Sequence, residues 1–155
     1  MRTVLIHFIA FLAIAGCEIT DIDFDTYTIN NETNHKIRIY AYDMYTKTGE
    51  NAQVRDSPVL IDSIIIQPFG RYKVKKRTGE DWQPMGYFKS EADSVVFFFN
   101  DLKRLVYVCK YDFCNETRNI IEFRLSSTKT CEENRGCDYT YAITQEDFEK
   151  AEIIE

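Results

Sequence analysis

The run Asp93 to Asn100 (DSVVFFFN) constrains this chain most. It is almost continuously apolar, too short for an ordinary helix, and rich in β-branched and aromatic residues. Such a segment reads as a central buried strand. Asn100-Asp101-Leu102-Lys103 is a turn, and Leu105 to Lys110 (LVYVCK) returns beside it. This is the clearest hairpin in the sequence, and the other segments are read around it.

Lys36 to Tyr45 alternates, with Ile37, Ile39 and Ala41 on one face and Lys36, Arg38, Tyr40 and Tyr42 on the other. That is a half-buried strand, entered through the turn-forming Asn30, Asn31 and Asn34. Thr46 to Pro58 is polar and predicts a long loop. Val59 to Gln67 is β-rich and ends at Pro68 and Gly70, and Tyr72 to Arg77 continues as a basic strand. Ile120 to Leu125 alternates and predicts another strand. Ser126 to Gly136 predicts a polar loop, and Tyr139 to Thr144 a last strand. Thr144-Gln145-Glu146-Asp147 has the form of a capping box and predicts a short helix to about Ile153, with Phe148 and Ala151 on one face. Seven or eight strands joined by turns, with one terminal helix and no crossover helices, predict an antiparallel β-sandwich of immunoglobulin-like type.

The first residues carry an address. Arg2 is the only charge before Glu18, and Val4 to Ala13 is apolar apart from His7. A run of about ten apolar residues is too short to span a bilayer, which needs about 20, but it fits the core of a secretory signal peptide. Ile14-Ala15-Gly16-Cys17 follows. This tetrapeptide resembles the lipobox of bacterial lipoproteins, in which an aliphatic residue and two small ones precede a cysteine that takes a diacylglyceryl thioether. The resemblance implies lipid attachment at Cys17, with acyl chains supplying the membrane hold that one chain gives only marginally. The expected division is 1–16 signal peptide, 17–27 acidic tether and 28–155 sandwich. In the tether, Glu18, Asp21 and Asp23 resemble the acidic segment that some Gram-negative anaerobes use for surface export of lipoproteins.

The wider pattern resembles the small lipoproteins of Gram-negative anaerobes. It consists of the lipobox, an Asn-rich turn before an alternating strand (INNETNHKIRIYAY), a strand ending in Gln-Pro (SIIIQPFG), the Asp-Ser-Val apolar hairpin, and a terminal TQEDFEKA. That resemblance implies an immunoglobulin-like sandwich at the outer membrane, on its periplasmic side or at the cell surface, and no particular chemistry.

Assigning Cys17 to lipid leaves Cys109, Cys114, Cys131 and Cys137, an even set in an exported chain, which predicts two disulfides. The C-x4-C and C-x5-C spacings favour local pairs, with crossed pairings open. Zinc would favour tighter C-x2-C spacing, and the one histidine beyond the signal, His35, is distant in sequence. No metal or cofactor is expected.

Net charge is −6, with 25 acidic residues against 19 basic ones. That balance disfavours nucleic acid, whose phosphates need clustered Lys and Arg. Nucleophilic catalysis needs a base beside a nucleophile. His35 lies in the turn Asn34-His35-Lys36 and reads as a surface residue. No G-x-S-x-G, H-E-x-x-H or phosphate-loop motif is present. Glu80 and Asp81 beside Trp82 are the one carboxylate pair to consider for sugar hydrolysis or glycan contact, against the plainer reading of a hairpin tip with a half-packed Trp. Asp21, Asp23 and Asp25 lack the Gly and Glu of a calcium loop. Lys73, Lys75, Lys76 and Arg77 form the only basic cluster. It could meet an anionic glycan or a partner, or could guard a sheet edge. Asn31-Glu32-Thr33 and Asn115-Glu116-Thr117 match the glycosylation pattern.

The functional expectation is a membrane-anchored, non-enzymatic β-sandwich module that binds a protein or glycan, with no catalytic residues. The alternatives are a lysozyme- or protease-inhibitor lipoprotein and a carbohydrate-active hydrolase or glycan-binding accessory using Glu80, Asp81 and Trp82.

Overall fold

A computed structural model describes residues 23–45, 53–78, 86–90, 92–110, 113–114, 118–132 and 136–155. The strands among them are β1 (Phe24–Asn31), β2 (Ile37–Tyr45), β3 (Val54–Ile66), β4 (Arg71–Arg77), β5 (Ser94–Phe99), β6 (Lys103–Lys110), β7 (Phe113–Cys114), β8 (Thr128–Glu132), β9 (Gly136–Ile143) and β10 (Glu152–Ile153). The helices are the four-residue α1 (Phe123–Ser126) and the six-residue α2 (Gln145–Lys150). Sheet A has the order β4-β1-β9-β8; sheet B has the order β10-β6-β5-β2-β3, with β7 paired to β6. The chain is an all-β sandwich, as expected.

The pleat explains the core. Successive side chains point to opposite faces of a strand, so Ile37, Ile39 and Ala41 of β2 point inward together with Val95, Phe97 and Phe99 of β5, and all six are buried. Sheet A closes over them with Tyr27, Ile29, Tyr139, Tyr141 and Ile143. The facing aromatics meet edge to face, for example Phe97 against Tyr141 at 6.3 Å between ring centres. Burying one such side chain contributes roughly 1.5–3 kcal/mol. The β5–β6 turn needs two left-handed residues to match strand twist, and Asn100 (φ 48°) and Asp101 (φ 60°) supply them.

Several expectations need correction. The sandwich begins at Phe24, not residue 28, because β1 pairs with β4 along its length from the Phe24–Arg77 pair onward. Residues 24–27 therefore do not belong to a tether. The inward Asp25 is buried because its Oδ1 accepts from the Cys137 N–H at 2.8 Å. One strand pair is parallel: β1 runs alongside β9, with Tyr27 opposite Tyr139. Parallel neighbours need a long connection, and here the whole intervening chain supplies it. β3 begins at Val54 rather than at 59, and Pro58 lies inside it. β3 is the outermost strand of sheet B, so a missing N–H breaks no inner ladder.

Ile120 to Leu125 is a turn followed by α1, not a strand. Its buried residues are Ile120 and Phe123, three apart, which is a helical spacing. Ser126 to Gly136 contains strand β8. Gly136 has φ +79°, and a Cβ there would lie 2.4 Å from the Phe24 carbonyl oxygen. Only glycine lets the start of β9 approach β1 this closely. Helix α2 ends at Lys150 rather than near Ile153, because Glu152–Ile153 leave it to pair with the edge of β6.

Candidate functional site

The four later cysteines form the two local pairs. Cys109 faces Cys114 across β6–β7, with Cα atoms 4.3 Å apart, and Cys131 faces Cys137 across β8–β9, at 4.2 Å. These separations match non-hydrogen-bonded antiparallel neighbours, whose side chains stand closest. Both disulfides therefore clip short strands to longer ones. Cys17, Glu80, Asp81, Trp82, Asp21 and Asn115 lie outside the described residues.

His35 is not a free surface side chain. Its ring stacks on Phe148 of α2, with centres 3.8 Å apart. Asn100 Nδ2 lies 2.9 Å from His35 Nδ1, at hydrogen-bond distance. Lys103 lies over the same phenyl ring at 4.6 Å and donates to the Phe148 carbonyl. The histidine fastens the β1–β2 turn to α2.

Asn31 ends β1 and is buried, with every polar atom engaged. Nδ2 donates to the carbonyls of His35 (2.7 Å) and Gln67 (2.9 Å), while Oδ1 accepts from Thr33 N (3.0 Å) and Thr33 Oγ1 (2.8 Å). The Asn-Glu-Thr sequence here is a structural joint at the two crossovers between sheets. The amide that a glycan would need is already committed to the backbone.

The buried carboxylates are likewise structural. Asp62 on the inner side of β3 accepts from Lys89 Nζ at 3.0 Å and from the Lys89 N–H at 3.2 Å. Asp147 accepts from Thr144 N (2.8 Å), Thr144 Oγ1 (3.2 Å) and Arg118 (3.1 Å), so the carboxylate expected to reach back to the helix start does so. Asp93 caps the β2 end by accepting from Met44 N and Tyr45 N, and burial nevertheless pushes its pKa up. Among the described residues no cluster of three or more His, Cys, Asp or Glu could hold a metal ion.

The basic cluster divides by the pleat. Lys76 turns inward, donates to the Phe88 carbonyl and lies over the Tyr27 ring. Burial lowers its pKa, opposed by the Asp62 charge. Lys73, Lys75 and Arg77 share the outer face, joined by Arg71, which the sequence reading omitted although the alternation carries straight on to it. Same-face side chains on a strand recur at roughly 6.8 Å. Sheet A thus has an outer column of cations on its edge strand. Pairing places Asn30 beside Arg71, Thr28 beside Lys73 and Thr26 beside Lys75. Across β9 the next residues are Ala142, Thr140 and Asp138. The outer face of sheet B is different: it carries Tyr40, Tyr42, Val96 and Phe98, with Leu60 (52% exposed) and Ile65 (60%) at the β3 edge.

Among the described residues, the buried side chains Asp25, Asn31, Asp62 and Asp147 are hydrogen-bonded within the fold. Among the described residues no helix is long and apolar enough to cross a membrane. No protein-family model matches this sequence, and no curated protein matches it.

Proposed function

We propose that this chain is an outer-membrane lipoprotein, anchored through diacylglyceryl-modified Cys17, whose disulfide-clipped sandwich is a non-enzymatic binding module. The observation that carries this reading is Ile14-Ala15-Gly16-Cys17 placed directly after a short apolar run. The start of the fold supports it. β1 begins at Phe24, so only residues 18–23 separate the anchor from the sandwich. At no more than about 3.6 Å per residue, that spacer reaches roughly 22 Å. The module stays close to the bilayer, and its ligand must be met there.

Replacement of Cys17 by Ala tests the anchor. In cells fed labelled palmitate, the wild-type protein incorporates label and partitions into detergent, while the variant takes up no label. Equal labelling of the two proteins would refute the anchor.

A further inference from the structure

Sheet A presents an outward column of cations in a chain whose net charge is −6. Arg71, Lys73 and Lys75 are exposed and form no ion pair with a described residue. Beside them, Thr28 and Asn30 are half-buried on the same face, and among the described residues their side chains have no hydrogen-bond partner. Guarding a sheet edge accounts for lysine on β4, but not for a hydroxyl and amide column kept open next to it.

The turn leading into β4 adds a second observation. In Gln67-Pro68-Phe69-Gly70 the Gly70 N–H donates to the Gln67 carbonyl at 2.9 Å, and Phe69 takes φ +53°. A turn with Pro second and positive φ third favours Gly in that third place. A bulky side chain there costs on the order of 1–3 kcal/mol. Phe69 is 73% exposed, so packing recovers little of that cost. Phe69 is thus an aromatic kept exposed at a conformational cost, two residues before Arg71 opens the cation column.

We propose that Arg71, Lys73, Lys75, Thr28, Asn30 and Phe69 form a binding track for a linear acidic polysaccharide. The cations take its carboxylate or sulfate groups, Thr28 and Asn30 take its hydroxyls, and Phe69 offers a face to a sugar ring. The inference rests on the binding-module reading and names its ligand class. The track is narrow. Asp138 lies across β1 from Lys75. That acid would repel a broad anionic surface such as a membrane or a nucleic-acid duplex, whereas a single strand along β4 and β1 avoids it.

The test uses the full chain in neutral detergent, with alginate as the acidic polymer and dextran as the neutral one, read by affinity electrophoresis. Wild-type protein is retarded by alginate and not by dextran, and the retardation falls as salt is added. The pair Arg71→Glu and Lys73→Glu weakens alginate binding about tenfold or more, whereas Arg104→Glu, opposite Phe98 on the outer face of sheet B, leaves it unchanged. Phe69→Gly weakens binding while raising the melting temperature, because it removes the strained residue. Equal retardation by dextran, equal loss in Arg104→Glu, or tighter binding to anionic vesicles or single-stranded DNA than to alginate would each overturn the proposal. Absence of alginate binding by a protein that still carries lipid on Cys17 would reject the ligand class and leave the anchor intact.

Discussion

Arg118 donates to the carboxylate of Asp147 at 3.1 Å, and Asp147 is almost wholly buried. The same Arg118 side chain also donates to the Ala142 carbonyl, and the Tyr141 hydroxyl donates to the Arg118 carbonyl. One ion pair thus joins the segment before α1, the end of β9 and the start of α2. Asp147→Ala removes the acceptor for Thr144 N, Thr144 Oγ1 and the guanidinium together. The guanidinium remains partly solvated, which softens the loss. The expected cost is about 2–3 kcal/mol, seen as a lower urea midpoint at unchanged slope. A shift below about 0.5 kcal/mol, the usual size for a surface change, would show that the pair holds nothing.

Asn31 is the second joint. Asn31→Ala leaves the Gln67 and His35 carbonyls and the Thr33 N–H without their partner, and the expected loss is roughly 2–4 kcal/mol. Asn34 lies in the same turn but is exposed, so Asn34→Ala should stay within about 0.5 kcal/mol. Equal effects of the two changes in a denaturation series would contradict the joint.

The Cys131–Cys137 disulfide closes a short loop, and β8 pairs with β9 alone. Chain entropy assigns such a small loop about 2 kcal/mol. Replacing both cysteines with Ser should lower stability by about that amount and speed amide exchange in Thr128–Glu132, while Ser94–Phe99 keeps its protection. Unchanged exchange in β8 would show that the clip is not what holds that strand.

Alkali should unfold the protein through its tyrosines. Burial raises the pKa of Tyr27 to about 12 and pushes those of Tyr87 and Tyr141 higher still. All three have folded values above the unfolded value near 10. The native state therefore holds protons that the unfolded chain releases, and stability falls as pH rises. The contribution is fully present below pH ~10 and is lost at about 1.4 kcal/mol per tyrosine per pH unit above it. A spectrophotometric titration should show these three tyrosines ionising only as the fold opens. A single smooth titration of every tyrosine near pH 10, with the fold intact, would contradict this.

The sequence was most readable where one physical force acted alone. Alternation marked β2, unbroken apolarity marked β5, and close spacing marked the two disulfides. It misled where polar partners distant in the chain decide the outcome. β1 reads as an acidic lead because its inward Asp25 and Asn31 are satisfied by Cys137, His35 and Gln67, whose approach only the tertiary fold creates. β8 is exposed along its whole length and so carries no apolar pattern. In Ile120 to Leu125 an alternating surface pattern overlay the helical spacing of Ile120 and Phe123. Of the candidate surface, the Lys73–Arg77 column was visible in the alternation. Its neighbours Asn30 and Thr28 were not, since they lie on a strand that pairs with β4 across more than forty residues of chain.

The most direct measurement is the mass of the mature protein's first tryptic peptide, spanning residues 17–36 from Cys17 to Lys36. The lipoprotein account predicts that the mature chain starts at Cys17 and that this peptide carries the mass of a diacylglyceryl thioether and an added acyl group. A mature chain beginning at any other residue, or a Cys17 recovered as an unmodified thiol, would contradict it.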